Sequence, residues 1–135
     1  MKESCIIVVD DQELLLRAYE RTIKVIFRNL DRPLVPTILA SGYHEAVEHV
    51  AKHDEKREGN VGYMLLTDGD MLEVQGPEII EKFDEQFGNR LLLRVLVTSE
   101  PDYKEHAKRL SAIFVEKPFD EQDLSPLIEE FLSML

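Results

Sequence analysis

The sequence predicts an α/β protein built on a doubly wound, five-stranded parallel sheet with five helices. Short apolar runs alternate strictly with longer segments whose apolar residues recur at helical spacing, five of each along the chain. The central run, residues 62–71, is bounded by polar and glycine residues and is too short for a helix, which is typical of a buried parallel strand. Because crossovers between parallel strands are right-handed, such alternation places helices on both faces of one sheet.

The other elements follow in a regular order. Strands are expected at 5–9, 36–40, 92–97 and 112–115. Helices are expected at about 12–30, 44–52, 77–87, 101–110 and 121–134, with Pro77 placed as at a first helical turn. The run 53–60, HDEKREGN, is expected to be a solvated connection without an apolar anchor. The 135 residues therefore predict one domain, 1–135.

Composition narrows the classes of protein to consider. Acidic residues outnumber basic ones by 27 to 16, a net charge of −11, so we expect the surface to repel nucleic acid and anionic membranes. The only cysteine, Cys5, cannot form an intrachain disulfide and is expected to be a small buried residue of a strand. The first apolar run is too short for a signal peptide or membrane span, which makes the cytoplasm the expected location.

Charged and hydroxyl side chains follow four of the five predicted strands. Because parallel strands end at one edge of a sheet, we expect these side chains to lie close together. Several carboxylates at one place cannot all stay ionised without a compensating cation, and Mg²⁺ prefers oxygen ligands of this kind. The four histidines lie on predicted helices or loops and are expected at the surface, so no zinc site is predicted. The residues at this edge are Asp10, Asp11, Asp68, Asp70, Thr98, Ser99 and Lys117.

A carboxylate in such a site can attack phosphorus and form an acyl phosphate while the metal neutralises charge on the phosphoryl oxygens. Asp68 is the best candidate because it ends the central strand. Lys117 would present a positive charge to the phosphoryl group, and the Thr98 hydroxyl could donate to it. Each residue also has a simpler interpretation, since Asp68 and Asp70 could turn the chain and cap the next helix, and Lys117 could form a surface ion pair.

Four segments, in this order, closely resemble the receiver domain of two-component response regulators, and the likeness spans essentially the whole chain. Ala40-Ser41-Gly42 with Glu45-Ala46 is similar to the family's second strand and helix, and Gly76 falls where the family places a glycine. The resemblance implies a flavodoxin-like sheet of strand order 2-1-3-4-5. The four segments are Val8-Val9-Asp10-Asp11, Leu65-Leu66-Thr67-Asp68, Val97-Thr98-Ser99 and Lys117-Pro118-Phe119.

The resemblance also implies a phosphorylation site and a metal site. Asp68 would be the phosphoacceptor. Asp11, assisted by Asp10, would hold Mg²⁺ together with Asp68 and the backbone carbonyl of Asp70. Lys117 would contact the phosphate.

The remaining implied roles concern the switch that follows phosphorylation. Thr98 and Phe114 would form the switch pair, with the hydroxyl moving toward the phosphoryl group and the ring moving inward behind it. Ser99 is small, which should keep the phosphoryl pocket open. The Lys117-Pro118 bond is expected to be cis.

By the same resemblance the protein would be a signalling domain rather than an enzyme, with phosphotransfer and dephosphorylation as its only self-catalysed steps. The phosphoryl donor would be a histidine kinase, a phosphotransfer protein or a small acyl phosphate. The output would pass to a downstream effector protein, or to an output domain of a longer regulator or hybrid kinase. No nucleic acid or membrane is expected as a direct partner, and a homodimer is left open.

The sequence departs from the family pattern in three places. Leu72 stands where the family usually has proline, so the loop after Asp68 is expected to be more mobile. The spacing from Asp11 to Asp68 is longer than usual, and that from Thr98 to Lys117 is shorter, which predicts a clipped fourth helix.

Asp70 and Glu100 would flank the path of an attacking water, and we hypothesise that they tune the lifetime of the acyl phosphate.

Two other functions remain as alternatives. The run from Leu65 to Asp70 also resembles the Asp-x-Asp motif of haloacid-dehalogenase-type phosphohydrolases, in which the first Asp is the nucleophile and the second a general acid. That motif normally lies on the first strand, whereas here a strand and an acidic pair precede it. A receiver-like interaction module that does not need phosphorylation is the second alternative.

Overall fold

The computed structural model describes residues 3–135 of the chain. Five strands and five helices alternate as the sequence predicts, and a short 3-10 turn, Gly88–Arg90, precedes the fourth strand. The elements are β1 (Glu3–Val9), α1 (Glu13–Asn29), β2 (Thr37–Ala40), α2 (Tyr43–Lys56), β3 (Val61–Asp68), α3 (Gly76–Phe87), β4 (Leu91–Thr98), α4 (Tyr103–Arg109), β5 (Ile113–Glu116) and α5 (Glu121–Ser133).

All strand pairs are parallel, and the sheet order is β2-β1-β3-β4-β5, which confirms the predicted fold. Every residue of β3 is buried, as expected for the central strand of a sheet covered on both faces. The register aligns the carboxyl ends of the strands. Val9 lies opposite both Ala40 and Thr67, and Thr98 lies opposite Glu116.

The helices cover both faces of the sheet, as predicted. One hydrophobic cluster joins α1 and α5 to one face through residues such as Tyr19, Phe27 and Phe131. A second cluster joins α2, α3 and α4 to the other face through residues such as Val50 and Phe83. None of the helices within residues 3–135 is long and apolar enough to cross a membrane.

The prediction of a solvated connection over 53–60 is wrong in its first half. Helix α2 continues to Lys56, and Asp54 is partly buried against Arg90 and Tyr63. His53 is also partly buried beside the Tyr63 ring, with the ring centroids 6.4 Å apart, so it is not the surface residue that was expected. The sequence does not reveal this burial, because the partners of Asp54 are distant in the chain. Arg90 lies 36 positions away.

Candidate functional site

An acidic site lies at the carboxyl edge of the sheet, where β1 and β3 end side by side. Asp10 is fully buried and Asp68 is 5% exposed. The Lys117 ammonium lies between them, with its Nζ 3.0 Å from Asp10 Oδ2 and 3.2 Å from Asp68 Oδ1. The structure thus joins two predicted strand-end acids to a lysine that follows β5.

Asp11 completes the acidic cluster from the solvent side. Carboxylate oxygens of Asp10, Asp11 and Asp68 lie within 4.8 Å of one another. Asp10 is buried and already accepts the Gln12 N–H through Oδ1, whereas Asp11 is exposed. The three carboxylates face one ammonium, and a hard divalent cation with oxygen ligands would balance the remaining charge. The residues present therefore fit Mg²⁺.

The environment of Asp68 affects its ionisation, mainly through burial. Burial raises the pKa of Asp68 above the usual range for an aspartate, and the neighbouring Asp10 carboxylate raises it further. Lys117 acts in the opposite direction through its charge and its hydrogen bond. Removing either negative charge, or adding a cation, would relieve this repulsion.

Thr98, Ser99 and Phe114 lie on the β4 and β5 side of the site. Thr98 is 1% exposed, and its hydroxyl accepts the backbone N–H of Glu100 at 3.1 Å. Ser99 is exposed. Phe114 is half-buried on β5, packs against the α2/α3/α4 cluster and has Lys104 Nζ 5.6 Å from its ring centroid. The Lys117-Pro118 bond is cis, as the resemblance implies.

The loop between β3 and α3 begins directly after Asp68 and is shaped by two glycines. A Cβ on Gly76 would lie 2.2 Å from the backbone oxygen of Asp68, so only glycine fits there. The Gly76 N–H donates to the Gly69 carbonyl at 2.9 Å and closes the loop. Asp70 and Leu72 are exposed, Leu72 to 94%. The loop starts and ends in fixed contacts while its tip faces solvent.

Two side chains near the site were not singled out by sequence reasoning. Gln75 accepts the Met71 N–H at 3.1 Å and donates to the Met71 carbonyl at 3.0 Å, which pins the β3–α3 loop. The Tyr103 hydroxyl, from the first residue of α4, donates to the same Gln75 side-chain oxygen at 3.2 Å. Neither residue carries a motif, and only the spacing Met71 to Gln75 within a loop hints at a local side-chain bond.

Comparisons with known proteins find their matches among solved structures. No protein-family model matches the chain. No curated protein matches it either. The signal receiver domain of an HD domain-containing protein from Pseudomonas fluorescens Pf-5 superposes with a TM-score of 0.77 at 20% identity, covering 98% of this chain and 97% of that one. The Vibrio cholerae chemotaxis protein CheY4 superposes with a TM-score of 0.71 at 17% identity, covering 96% of this chain and 98% of that one. A response regulator receiver protein from Pseudomonas putida superposes with a TM-score of 0.70 at 22% identity, covering 96% of this chain and 98% of that one.

These similarities, taken with the strand order, define the fold. The chain has the flavodoxin-like fold of response regulator receiver domains, over nearly its full length. The fold does not favour the haloacid-dehalogenase alternative, because Asp68 ends the third strand of the chain rather than the first.

Proposed function

We propose that residues 1–135 form a receiver domain of a two-component signalling system, phosphorylated on Asp68. The observation that carries the proposal is the position of the Lys117 ammonium, within 3.2 Å of two buried carboxylates that Asp11 joins from the solvent side. An ammonium held at the edge of an acidic cluster can contact a phosphoryl group that arrives on Asp68.

In the proposed reaction, an Asp68 carboxylate oxygen attacks phosphorus and forms an acyl phosphate. The bond from phosphorus to the donor breaks, and its electron pair leaves with the histidine nitrogen of a kinase or phosphotransfer protein, or with a small carboxylate such as acetate. Lys117 neutralises phosphoryl charge, and the Thr98 hydroxyl donates to a phosphoryl oxygen.

The same proposal assigns a metal. Mg²⁺, when bound, supplies positive charge that stabilises the phosphoryl oxygens during transfer. Asp11 and Asp68 would hold it with the backbone carbonyl of Asp70, and Asp10 would assist. The cluster of carboxylate oxygens within 4.8 Å supports this ligand set.

The signal would pass from Thr98 to Phe114 and onward to a protein effector or an output domain. Phe114 lies beside the shortened helix α4, so the partner surface would involve this part of the fold. We place the protein in the cytoplasm, with a histidine kinase or phosphotransfer protein as donor and with no direct nucleic acid or membrane partner. A homodimer is compatible with this function.

Incubation with acetyl phosphate and Mg²⁺ tests the proposal. We expect a mass increase of one phosphoryl group per chain, which D68N abolishes and the surface variant D31N retains. Rapid repeated release of phosphate without accumulation of the labelled chain would instead indicate a phosphohydrolase. Binding of a partner equally by wild type and D68N, with and without acetyl phosphate, would indicate a module that does not need phosphorylation.

A further inference from the structure

Tyr103 covers the backbone next to Asp68. It is the first residue of α4, and its N–H donates to the Glu100 carbonyl at 3.1 Å. A Cβ on Gly69 would lie 3.2 Å from Tyr103 Cγ and 3.1 Å from Thr98 Cβ. The residue after Asp68 is therefore enclosed by the base of the Tyr103 ring on one side and by Thr98 on another.

A chain of hydrogen bonds holds the ring in this place. The Tyr103 hydroxyl donates to Gln75 Oε1, and the same Gln75 side chain is bonded to both the N–H and the carbonyl of Met71. We call Tyr103, Gln75 and Met71 the rim strap. The strap ties the start of α4 to the β3–α3 loop across the residues that follow Asp68, so it joins the two loops that carry Asp70 and Glu100.

The Tyr103 hydroxyl is a donor at neutral pH, because an ordinary tyrosine is protonated there. Burial raises the pKa of Tyr103, and the carboxylates of Asp70, Asp68 and Glu100 raise it further. A protonated phenol donates to Gln75 at neutral pH, and the strap stays closed.

We propose that the rim strap shields the Asp68 acyl phosphate from water on its α4 side, so that Tyr103 is a positioning residue that sets the lifetime of the phosphorylated state. This inference rests on the proposed function. In the step that the strap slows, a water oxygen attacks phosphorus and the bond from phosphorus to the Asp68 oxygen breaks. The carboxylate is regenerated, and inorganic phosphate leaves carrying the water oxygen.

The test measures decay of the mass label after excess acetyl phosphate is removed, in Mg²⁺. Y103F removes the hydroxyl and keeps the ring, and Y103A removes both. We expect Y103F to decay about two- to tenfold faster, the change in population that the loss of one ordinary hydrogen bond produces. Y103A should decay faster still. Y63F is the matched control, because Tyr63 also donates its hydroxyl to a side chain, that of Asp54, but lies near the amino end of β3, so Y63F should decay like wild type.

Two further measurements separate shielding from a general structural effect. Mg²⁺ affinity, measured by calorimetry, should be the same in wild type and Y103F, and thermal unfolding should show that each variant is folded. Amide exchange at Met71 in the unphosphorylated protein should be faster in Y103F, since Gln75 loses one of its partners.

Decay of Y103F at the wild-type rate or slower would overturn the inference, as would faster decay accompanied by weaker Mg²⁺ binding. If Y103A does not fold, Y103F alone decides. A wild-type protein that takes no label would refute the proposed function, and the shielding role with it. A wild type that is labelled, with variants that decay alike, refutes the shielding role only.

Discussion

Near the amino end of β3 one aspartate pairs with one arginine, whereas at the carboxyl end of β3 three carboxylates cluster and two of them contact one lysine. At the amino end, Asp54 binds Arg90 through two hydrogen bonds of 2.7 and 3.1 Å and accepts the Tyr63 hydroxyl at 2.9 Å. Arg90 also lies over the Tyr63 and Phe87 rings, 5.9 and 5.1 Å from their centroids. The amino-end cluster is thus closed and balanced in charge.

The two clusters shift the pKa of an aspartate in opposite directions. The Arg90 hydrogen bonds hold the pKa of Asp54 below its usual range, while burial raises the pKa of Asp68. A balanced pair adds to stability, because both partners are satisfied within the fold. An unbalanced cluster retains a repulsion that a cation would relieve, and for this reason we propose that the functional site lies at the carboxyl end of β3.

G76A is expected to have the largest effect on the free energy of unfolding. It tests whether the backbone contact between Gly76 and Asp68, rather than the ion pairs, shapes the carboxyl end of β3. The new Cβ would meet the Asp68 carbonyl at 2.2 Å, and backbone atoms cannot move aside cheaply. We expect a loss of about 3 kcal/mol in the free energy of unfolding. G42A is the control, since nothing lies within 4 Å of its Cβ, and it should not destabilise. Equal stability of G76A and wild type in urea unfolding would contradict this account.

R90M breaks the balanced cluster. It leaves the Asp54 carboxylate and the Val61 carbonyl without this donor, at side chains that are only 20–22% exposed. We expect a loss of about 2 kcal/mol in chemical unfolding. R109M should cost less than about 0.5 kcal/mol, because its Glu81 pair is exposed. Similar losses in the two variants would show that the amino-end pair is an ordinary surface pair.

D68N, in contrast, should increase the free energy of unfolding. With a chelator present, the variant loses a buried charge that repels Asp10, and we expect it to be about 1 kcal/mol more stable than wild type. Mg²⁺ should raise the melting temperature of wild type and have a much smaller effect on D68N. A D68N protein less stable than wild type in chelator would mean that Lys117 already balances the site.

The smallest expected effect is the change with pH in the contribution that the Asp54 and Arg90 pair makes to the free energy of unfolding. Because the pKa of Asp54 is lowered on folding, its stabilisation is present above the ordinary aspartate pKa of about 4 and is lost as the pH falls through the folded value. D54N lacks this contribution. The difference in unfolding free energy between wild type and D54N, less than about 1 kcal/mol, should shrink between about pH 6 and about pH 3. A difference that stays constant over this range would argue against a lowered Asp54 pKa.

Much of the fold could be read from local patterns. The alternation of short apolar runs with helical periodicity predicts every strand and helix to within a few residues, apart from the extension of α2 to Lys56. The clipped α4, Tyr103–Arg109, also follows from the short spacing between Thr98 and Lys117. The sequence predictions fail where a distant partner buries a polar residue, as Arg90 does Asp54. Hydropathy alone places such a residue in solvent.

By itself the sequence determined that acids, a hydroxyl and a lysine would follow successive strands, and that these strand ends would share one edge, because parallel strands connected by helices all point the same way. Only the tertiary structure decided that Lys117 lies within 3.2 Å of both Asp10 and Asp68, that Gly76 must lack a side chain, and that Tyr103 reaches Gln75. Those contacts join residues far apart in the chain, and their distances depend on side-chain packing that no local pattern encodes.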